Sequence, residues 1–170
     1  IGIALDGAGY GKDGQIWGGE VLKSGYSGYE RVGQLEYLPM PGGDLCAYHP
    51  YRMLIAGLSK VFSDYEIRDI TKNHINHVLP HGEQELNVIL QQSHSNSTLR
   101  TSSFGRVLDA VSGLLGLTYY RSYEGEPAMR LEGLASKGNP EVVDLTISYY
   151  KKDDIEIINT SKLILNIITL

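Results

Sequence analysis

The first 22 residues, IGIALDGAGYGKDGQIWGGEVL, constrain the fold more than any other stretch, because few architectures place a glycine-rich run directly after an apolar one. A dinucleotide-binding unit needs G-x-G-x-x-G at the opening of a helix. Here the glycines fall at positions 7, 9 and 11, and the strong turn dipeptide Asp13-Gly14 follows. A Walker loop needs Ser or Thr after Gly-Lys to hold Mg²⁺, whereas Gly11-Lys12 is followed by Asp13. Residues 16–22 read as a returning strand. The stretch therefore predicts a strand over 1–5, a loop with Asp6 where the pleat ends, and a second strand. Successive amides of Gly7, Gly9 and Gly11 can form an anion nest, and the Asp6 carboxylate is a hard metal ligand. An ordinary glycine-rich turn accounts for the stretch equally well.

Residues 29–38 form a third extended run, so three strands precede any helix. That order predicts an α/β fold of the RNase H-like, actin-like ATPase (ASKHA) kind, a lobe of three antiparallel strands followed by helices. Pro39, Pro41, Gly42 and Gly43 break the third strand, and Pro50 suits the first turn of a helix running to about residue 60. Helices are predicted over 65–78 and 82–92. Ser102 or Ser103 caps another, with Val107, Leu108, Val111, Leu114 and Leu115 on its apolar face and Gly116 just past its end. A short helix over 127–136, strands near 145–150 and 155–158, and a last helix carrying Leu163, Ile164, Ile167 and Ile168 complete the chain.

The 170 residues fit one domain or two small lobes, and 42% hydrophobic content supports a core. A net charge of −5 and a pI near 5.5 argue against a nucleic-acid partner, which wants a basic footprint. The single cysteine, Cys46, excludes an internal disulfide and fits a reducing cytoplasm. The longest apolar run, near the C-terminus, is too short to span a membrane, so no membrane partner is expected. A chain that begins at Ile1 inside a strand and stops at Leu170 within an apolar pattern reads as a piece of something longer.

Three blocks in order, IALDGAGYGKDGQIWGGEVL, LEYLPMPGGDLCAYHPYRMLIAGL and SSFGRVLDAVSGLLGL with YEGEPAMRLE, resemble the C-terminal domain of the HypF carbamoyltransferases, maturation factors of [NiFe] hydrogenases. That domain is itself similar to the tRNA threonylcarbamoyladenosine synthases (TsaD). The resemblance runs from Ile1 to about Glu132 and continues more weakly to the end. It implies part of one carbamoyltransferase domain, truncated at both ends, with a hairpin lobe beginning over about 1–60 and a mostly helical insertion and start of a second lobe over about 61–170. It also implies ATP-derived carbamoyl adenylate, made by an adenylate-forming domain of the same full-length chain. The carbamoyl group then passes to the C-terminal cysteine of a HypE-type acceptor, where it becomes the cyanide ligand.

Carried over by residue, the resemblance places Asp6 on a divalent metal, zinc or iron, beside two histidines, and Gly7, Gly9 and Gly11 near the nucleotide phosphate. It places Asp109 at the ribose, with Gly125 or Glu126 close to the glycine that closes over the nucleotide. A carboxylate can accept two hydrogen bonds from ribose hydroxyls, although a surface carboxylate on a helix is the ordinary reading of Asp109. The histidine pair is expected just before Ile1 and a further aspartate beyond Leu170, so the metal site is incomplete here and the piece alone is expected to be inactive.

His74, His77 and His81 can be drawn as a zinc site on one helical face, but Pro80 interrupts that face and they read as solvated or locally bonded side chains, as do His49 and His94. Cys46 reads as a small packing residue at a helix start, and Trp17 as hairpin packing. Gly42-Gly43-Asp44 and Arg52 leave open a structural turn or a contact to the adenylate-forming domain. The competing functions are another actin-like ATPase, such as a sugar kinase or the tRNA-modifying relative, and a non-catalytic docking piece. The acidic charge and the Pro41-Gly42-Gly43-Asp44 block favour the carbamoyltransferase.

Overall fold

Three antiparallel strands lead the chain in the computed structural model, which describes residues 1–139 and 146–169. They are β1 (Gly2–Tyr10), β2 (Ile16–Gly25) and β3 (Gly28–Leu35), with β2 paired to both neighbours. The β1–β2 turn lies at residues 11–15, where the Gly11 N–H donates to Gln15 O at 2.9 Å and Gly14 takes a left-handed φ of 75°. The expected loop at Asp6 is instead part of β1. The ladder passes from Leu5↔Gly19 to Gly9↔Trp17, so Asp6, Gly7 and Ala8 bulge opposite Gly18 alone. A Cβ at Gly18 would sit 2.5 Å from Asp6 O, which is why a residue without one faces the bulge.

Short strands β4 (Leu38–Pro39), β5 (Arg100–Thr101), β6 (Tyr149–Lys152) and β7 (Ile155–Ile158) extend the sheet in the order β4-β5-β2-β3-β7-β6, with β1 joined to β2. The pairings β2–β5 and β3–β7 are parallel, a mixed sheet that local pattern does not foretell. Of the strand expected over 145–150, Leu145 lies outside the described residues, and the ladder begins at Tyr149.

The helices are α1 (Leu45–Tyr48), α2 (Pro50–Leu58), α3 (Asp64–Thr71), α4 (Ile75–Val78), α5 (Gly82–His94), α6 (Phe104–Leu114), α7 (Glu126–Ala135) and α8 (Thr160–Ile168). Pro50 occupies the first turn of α2, and all nine residues of that helix are buried, as expected of a helix enclosed by its neighbours. Met53, Leu54, Ile55 and Leu58 meet Ile67, Ile75, Leu86, Ile89, Leu90 and Ile164 in the core. The single helix predicted over 65–78 is two, because the chain turns at residues 72–74. Ser63 and Glu66 form a capping box at the start of α3. Helix α6 departs furthest from its expected pattern. Its buried residues are Arg106, Val107, Asp109, Ala110, Ser112 and Gly113, while Leu108, Val111 and Leu114 are half-buried and Leu115 is exposed. The polar and small face is turned inward, toward α2 and the β1 bulge.

Candidate functional site

The start of α6 is fastened to the bulge. Ser103 caps the helix by accepting from Arg106 N at 3.2 Å, and the same hydroxyl is directed at Asp6 O and Gly7 O. Gly105 lets the backbones close: a Cβ there would lie 2.9 Å from Gly7 Cα. Glu20 braces the other side. Its buried carboxylate accepts from Gly18 N and Gly19 N at 2.7 and 2.8 Å and from the Ser102 hydroxyl, which holds the bulge against β5. The sequence does carry a signal for this group, a Glu directly after two glycines and before Val21 and Leu22.

Arg106 runs from the helix to the bulge. A Cβ on Gly7 would be 3.5 Å from its Nη2, while Nη1 lies 2.9 Å from Asp109 Oδ2 one turn along α6. Both residues are buried, at 7% and 4% exposure. The ion pair nevertheless leaves Arg106 Nε and Nη1 and Asp109 Oδ2 without hydrogen-bond partners among the described residues. Burial pushes the Asp109 carboxyl up to about 6, against the opposing pull of Arg106 and Arg121. Buried polar atoms that make no hydrogen bond are costly, and here Nη1 and Oδ2 are compensated only by their mutual charge.

The expected site residues fall into three places. Asp6, Gly7 and Gly9 lie where β1 meets α6, with Gly9 backing the Asp6 carboxylate, whose Oδ2 would lie 3.4 Å from a Cβ there, and Asp109 is linked to this seam through its ion pair with Arg106. Gly11 belongs to the hairpin turn, pressed against Trp17. Gly125 and Glu126 open α7, which packs on α6. Gly125 takes φ 77°, and the buried Glu126 accepts from Ser122 N and Oγ and pairs with Arg130. Those Ser122 hydrogen bonds hold the Glu126 carboxyl below its ordinary range.

The glycine amides do not form the expected nest. None of Gly7, Gly9 and Gly11 has positive φ, and the Gly7 N–H is turned onto Asp6 Oδ1 at 2.7 Å. Asp6 itself is exposed. No group of three His, Cys, Asp or Glu side chains able to hold a metal gathers among the described residues.

Sequence reasoning missed Arg106, which sits in the quoted SSFGRVLDAV block as the one cation of an otherwise apolar helix start. It also left Arg52 open, and the structure accounts for it. Arg52 donates through Nε and Nη2 to Glu85 Oε1 at 3.0 and 2.5 Å and through Nη1 to Pro41 O at 3.0 Å. A Cβ at Gly42, whose φ is 85°, would be 2.6 Å from that Nη1, so the glycine turn closes over the guanidinium. Cys46 is fully buried with its Sγ directed at Pro41 O, and burial pushes its thiol up to about 12, the behaviour of a packing residue. The histidines do not share a helical face: His74 precedes α4 and its Nε2 lies 2.6 Å from the Tyr51 hydroxyl, His77 lies within α4, and His81 precedes α5.

A family model described as the second subdomain of the Kae1-like domain of carbamoyltransferases matches residues 2–170. A probable carbamoyltransferase HypF of Methanocaldococcus jannaschii is 41% identical over 163 residues, 95% of this chain and 20% of its own length. The carbamoyltransferase HypF of Rhodobacter capsulatus is 41% identical over 140 residues, 81% of this chain and 18% of its own. The crystal structure of full-length HypF in a phosphate- and nucleotide-bound form superposes with a TM-score of 0.80 at 36% identity, covering 99% of this chain and 21% of that one. The HypF of T. kodakarensis gives 0.81 at 42% identity, with 99% and 22% coverage. The chain thus spans about a fifth of the length of these relatives.

Proposed function

Because this chain belongs to the HypF carbamoyltransferase family, in the second subdomain of its Kae1-like domain, we propose that it supplies one wall of a carbamoyl-adenylate site in a longer cytoplasmic enzyme. The observation that carries the reading is the buried Arg106–Asp109 ion pair beside Gly7, in which Arg106 Nε makes no hydrogen bond and Nη1 and Oδ2 meet only each other's charge. In this reading Asp109 accepts from the ribose hydroxyls, and Arg106 swings its free donors to the nucleotide phosphate over Gly7 and Gly9. Gly125 and Glu126 shape the approach from α7. The adenylate comes from the adenylate-forming domain of the longer chain.

The acceptor is the C-terminal thiolate of a HypE-type protein. Its sulfur attacks the carbamoyl carbon, an S–C bond forms, the C–O bond of the mixed anhydride breaks, and AMP leaves with the electron pair. A guanidinium at the phosphate favours that departure by neutralising the charge that develops there. Asp6 can offer a carboxylate oxygen to a zinc or iron ion whose other ligands would come from the rest of the longer protein. One exposed carboxylate is no metal centre, and no step of the transfer is assigned to the ion. The exposed apolar side chains of Ile1, just before β1, and of Ile3 and Leu5 on it suit a surface on which the remainder of the enzyme packs.

The test is calorimetric titration of the intact longer protein with a non-hydrolysable carbamoyl-adenylate analogue. Asp109→Ala is expected to weaken binding by about 1–3 kcal/mol, the scale for losing hydrogen bonds to a charged acceptor. Arg106→Gln is expected to weaken it and to reduce its salt dependence. Unchanged affinity in both variants would remove this chain from the nucleotide site.

A further inference from the structure

A cavity lined by none of the residues of that site opens where the β1–β2 turn, β3, the end of α2 and the β6–β7 hairpin meet. It measures about 380 Å³, within the range of cavities that hold metabolite-sized ligands. Its charges are not balanced. Arg31 pairs with Asp13 at 3.2 Å and Lys60 with Glu36 at 2.7 Å. Arg100 on β5 and Lys152 on β6 also line the cavity, and neither has an ion-pair partner among the described residues. Asp153, in the β6–β7 turn, offsets one of these cations and leaves an excess in a chain whose net charge is −5.

Gln34 adds a second, independent observation. It projects from β3 at 4% exposure, lines the cavity, and its carboxamide has no hydrogen-bond partner among the described residues. A largely buried side chain whose amide opens onto the cavity without a protein partner is placed to bond a ligand there. The rest of the wall is fixed in advance. Tyr37 donates to Asp13 Oδ2 at 2.6 Å and accepts from Arg31 at 2.9 Å, and Arg31 stacks over Trp17. Ile155 and Ile157 supply apolar surface beside the cations.

We infer that this cleft is a binding site for a small phosphate monoester. Arg100 and Lys152 can each donate to phosphoryl oxygens, which a guanidinium and an ammonium together hold better than either alone, and the cleft's one-charge positive excess favours an anion. Gln34 contributes a neutral donor, and the isoleucine surface takes the ester's carbon portion.

Isothermal titration of the chain in low-salt, phosphate-free buffer tests this, with glycerol 3-phosphate, inorganic phosphate and succinate as separate probes. Saturable one-site binding of the ester is expected, with weaker binding of inorganic phosphate and the weakest of succinate. Arg100→Gln and Lys152→Gln are each expected to weaken the ester about tenfold, the loss of one charge-assisted contact. Lys23→Gln, an exposed cation outside the cleft, is expected to change nothing. Circular dichroism verifies that each variant is folded, and amide shifts of Gln34, Arg100 and Ile157 on titration locate the ligand. The inference is overturned by absent saturation, by undiminished binding in the Arg100→Gln/Lys152→Gln double variant, or by succinate binding as tightly as the ester.

Discussion

Ser103 and Asp6, 97 positions apart in the chain, are joined by a 2.6 Å hydrogen bond from the serine hydroxyl to the aspartate's backbone oxygen. The same oxygen atom of Ser103 caps α6, so one side chain sets both the helix start and the position of the bulge. Ser103→Ala is expected to lower stability by about 1–2 kcal/mol, the upper range for a lost N-cap, and to speed hydrogen exchange at the Gly7 amide. Urea denaturation and exchange followed by NMR give the two numbers. A stability loss without faster exchange at Gly7 would confine the role of Ser103 to the helix.

Gly105→Ala reverses a common rule. In a helix interior this change gains roughly 1 kcal/mol, but here the new methyl would meet Gly7 Cα at 2.9 Å. Net destabilisation is expected, together with a shifted bulge seen in the amide shifts of Asp6 to Ala8. A gain in stability would show that α6 and β1 can separate freely.

Asp109 gives the fold a pH dependence opposite in sign to that of a typical paired carboxylate. Its folded pKa of about 6 lies above the ordinary 3.8, so the folded chain binds the extra proton between these values. Stability from this group is intact below about pH 4 and falls as pH rises through 6, by up to about 3 kcal/mol for a shift of this size. Asp109→Asn should therefore gain on the wild type as pH rises from 4 to 7.5. Parallel pH profiles from chemical denaturation of the two proteins would refute the assignment.

The Arg52–Glu85 pair lies in the core beneath the Gly42-Gly43 turn. Arg52→Leu strands the Glu85 carboxylate and Glu85→Leu strands the guanidinium, each at a cost of about 3–5 kcal/mol. The double variant Arg52→Leu/Glu85→Leu is expected to recover much of the loss, because no buried charge remains unpaired. A denaturation double-mutant cycle that is simply additive would contradict this.

Local chemistry explains what the sequence could reveal. The Asp13-Gly14 turn, Pro50 at a helix start and the Ser103 cap each act within a few residues, and each appears where its residue type implies. The bulge at Asp6 was not legible, because it depends on Gly18 across the ladder and on Gly105 from a helix far along the chain. The burial of α6 was misread for a related reason. Its leucine stripe suggests the inner face, but the face chosen inside this chain is the one whose Arg106 reaches Gly7 and Asp109. Asp13 shows the same limit. It reads as a turn residue, yet its carboxylate accepts from Trp17, Tyr37, Arg31 and the Gln15 amide, partners gathered from three segments. Burial alone would raise its pKa, and these donors together bring it below the ordinary value.

The parallel pairing of β3 with β7 sets Gln34 beside Ile157 across more than a hundred intervening residues. Closing so long a loop is entropically unfavourable until the elements between have condensed, so this ladder belongs to the last steps of folding, well after the local β1–β2–β3 meander. The cleft walled by Gln34 and Ile157 is consequently a late product of folding, whereas the seam between Asp6 and Ser103 needs only the first two-thirds of the chain. During synthesis, a ribosome-bound chain that had emerged as far as α6 could already close that seam while still lacking the phosphate cleft. The two sites would then mature in sequence, one before the β6–β7 hairpin leaves the exit tunnel and the other only after it.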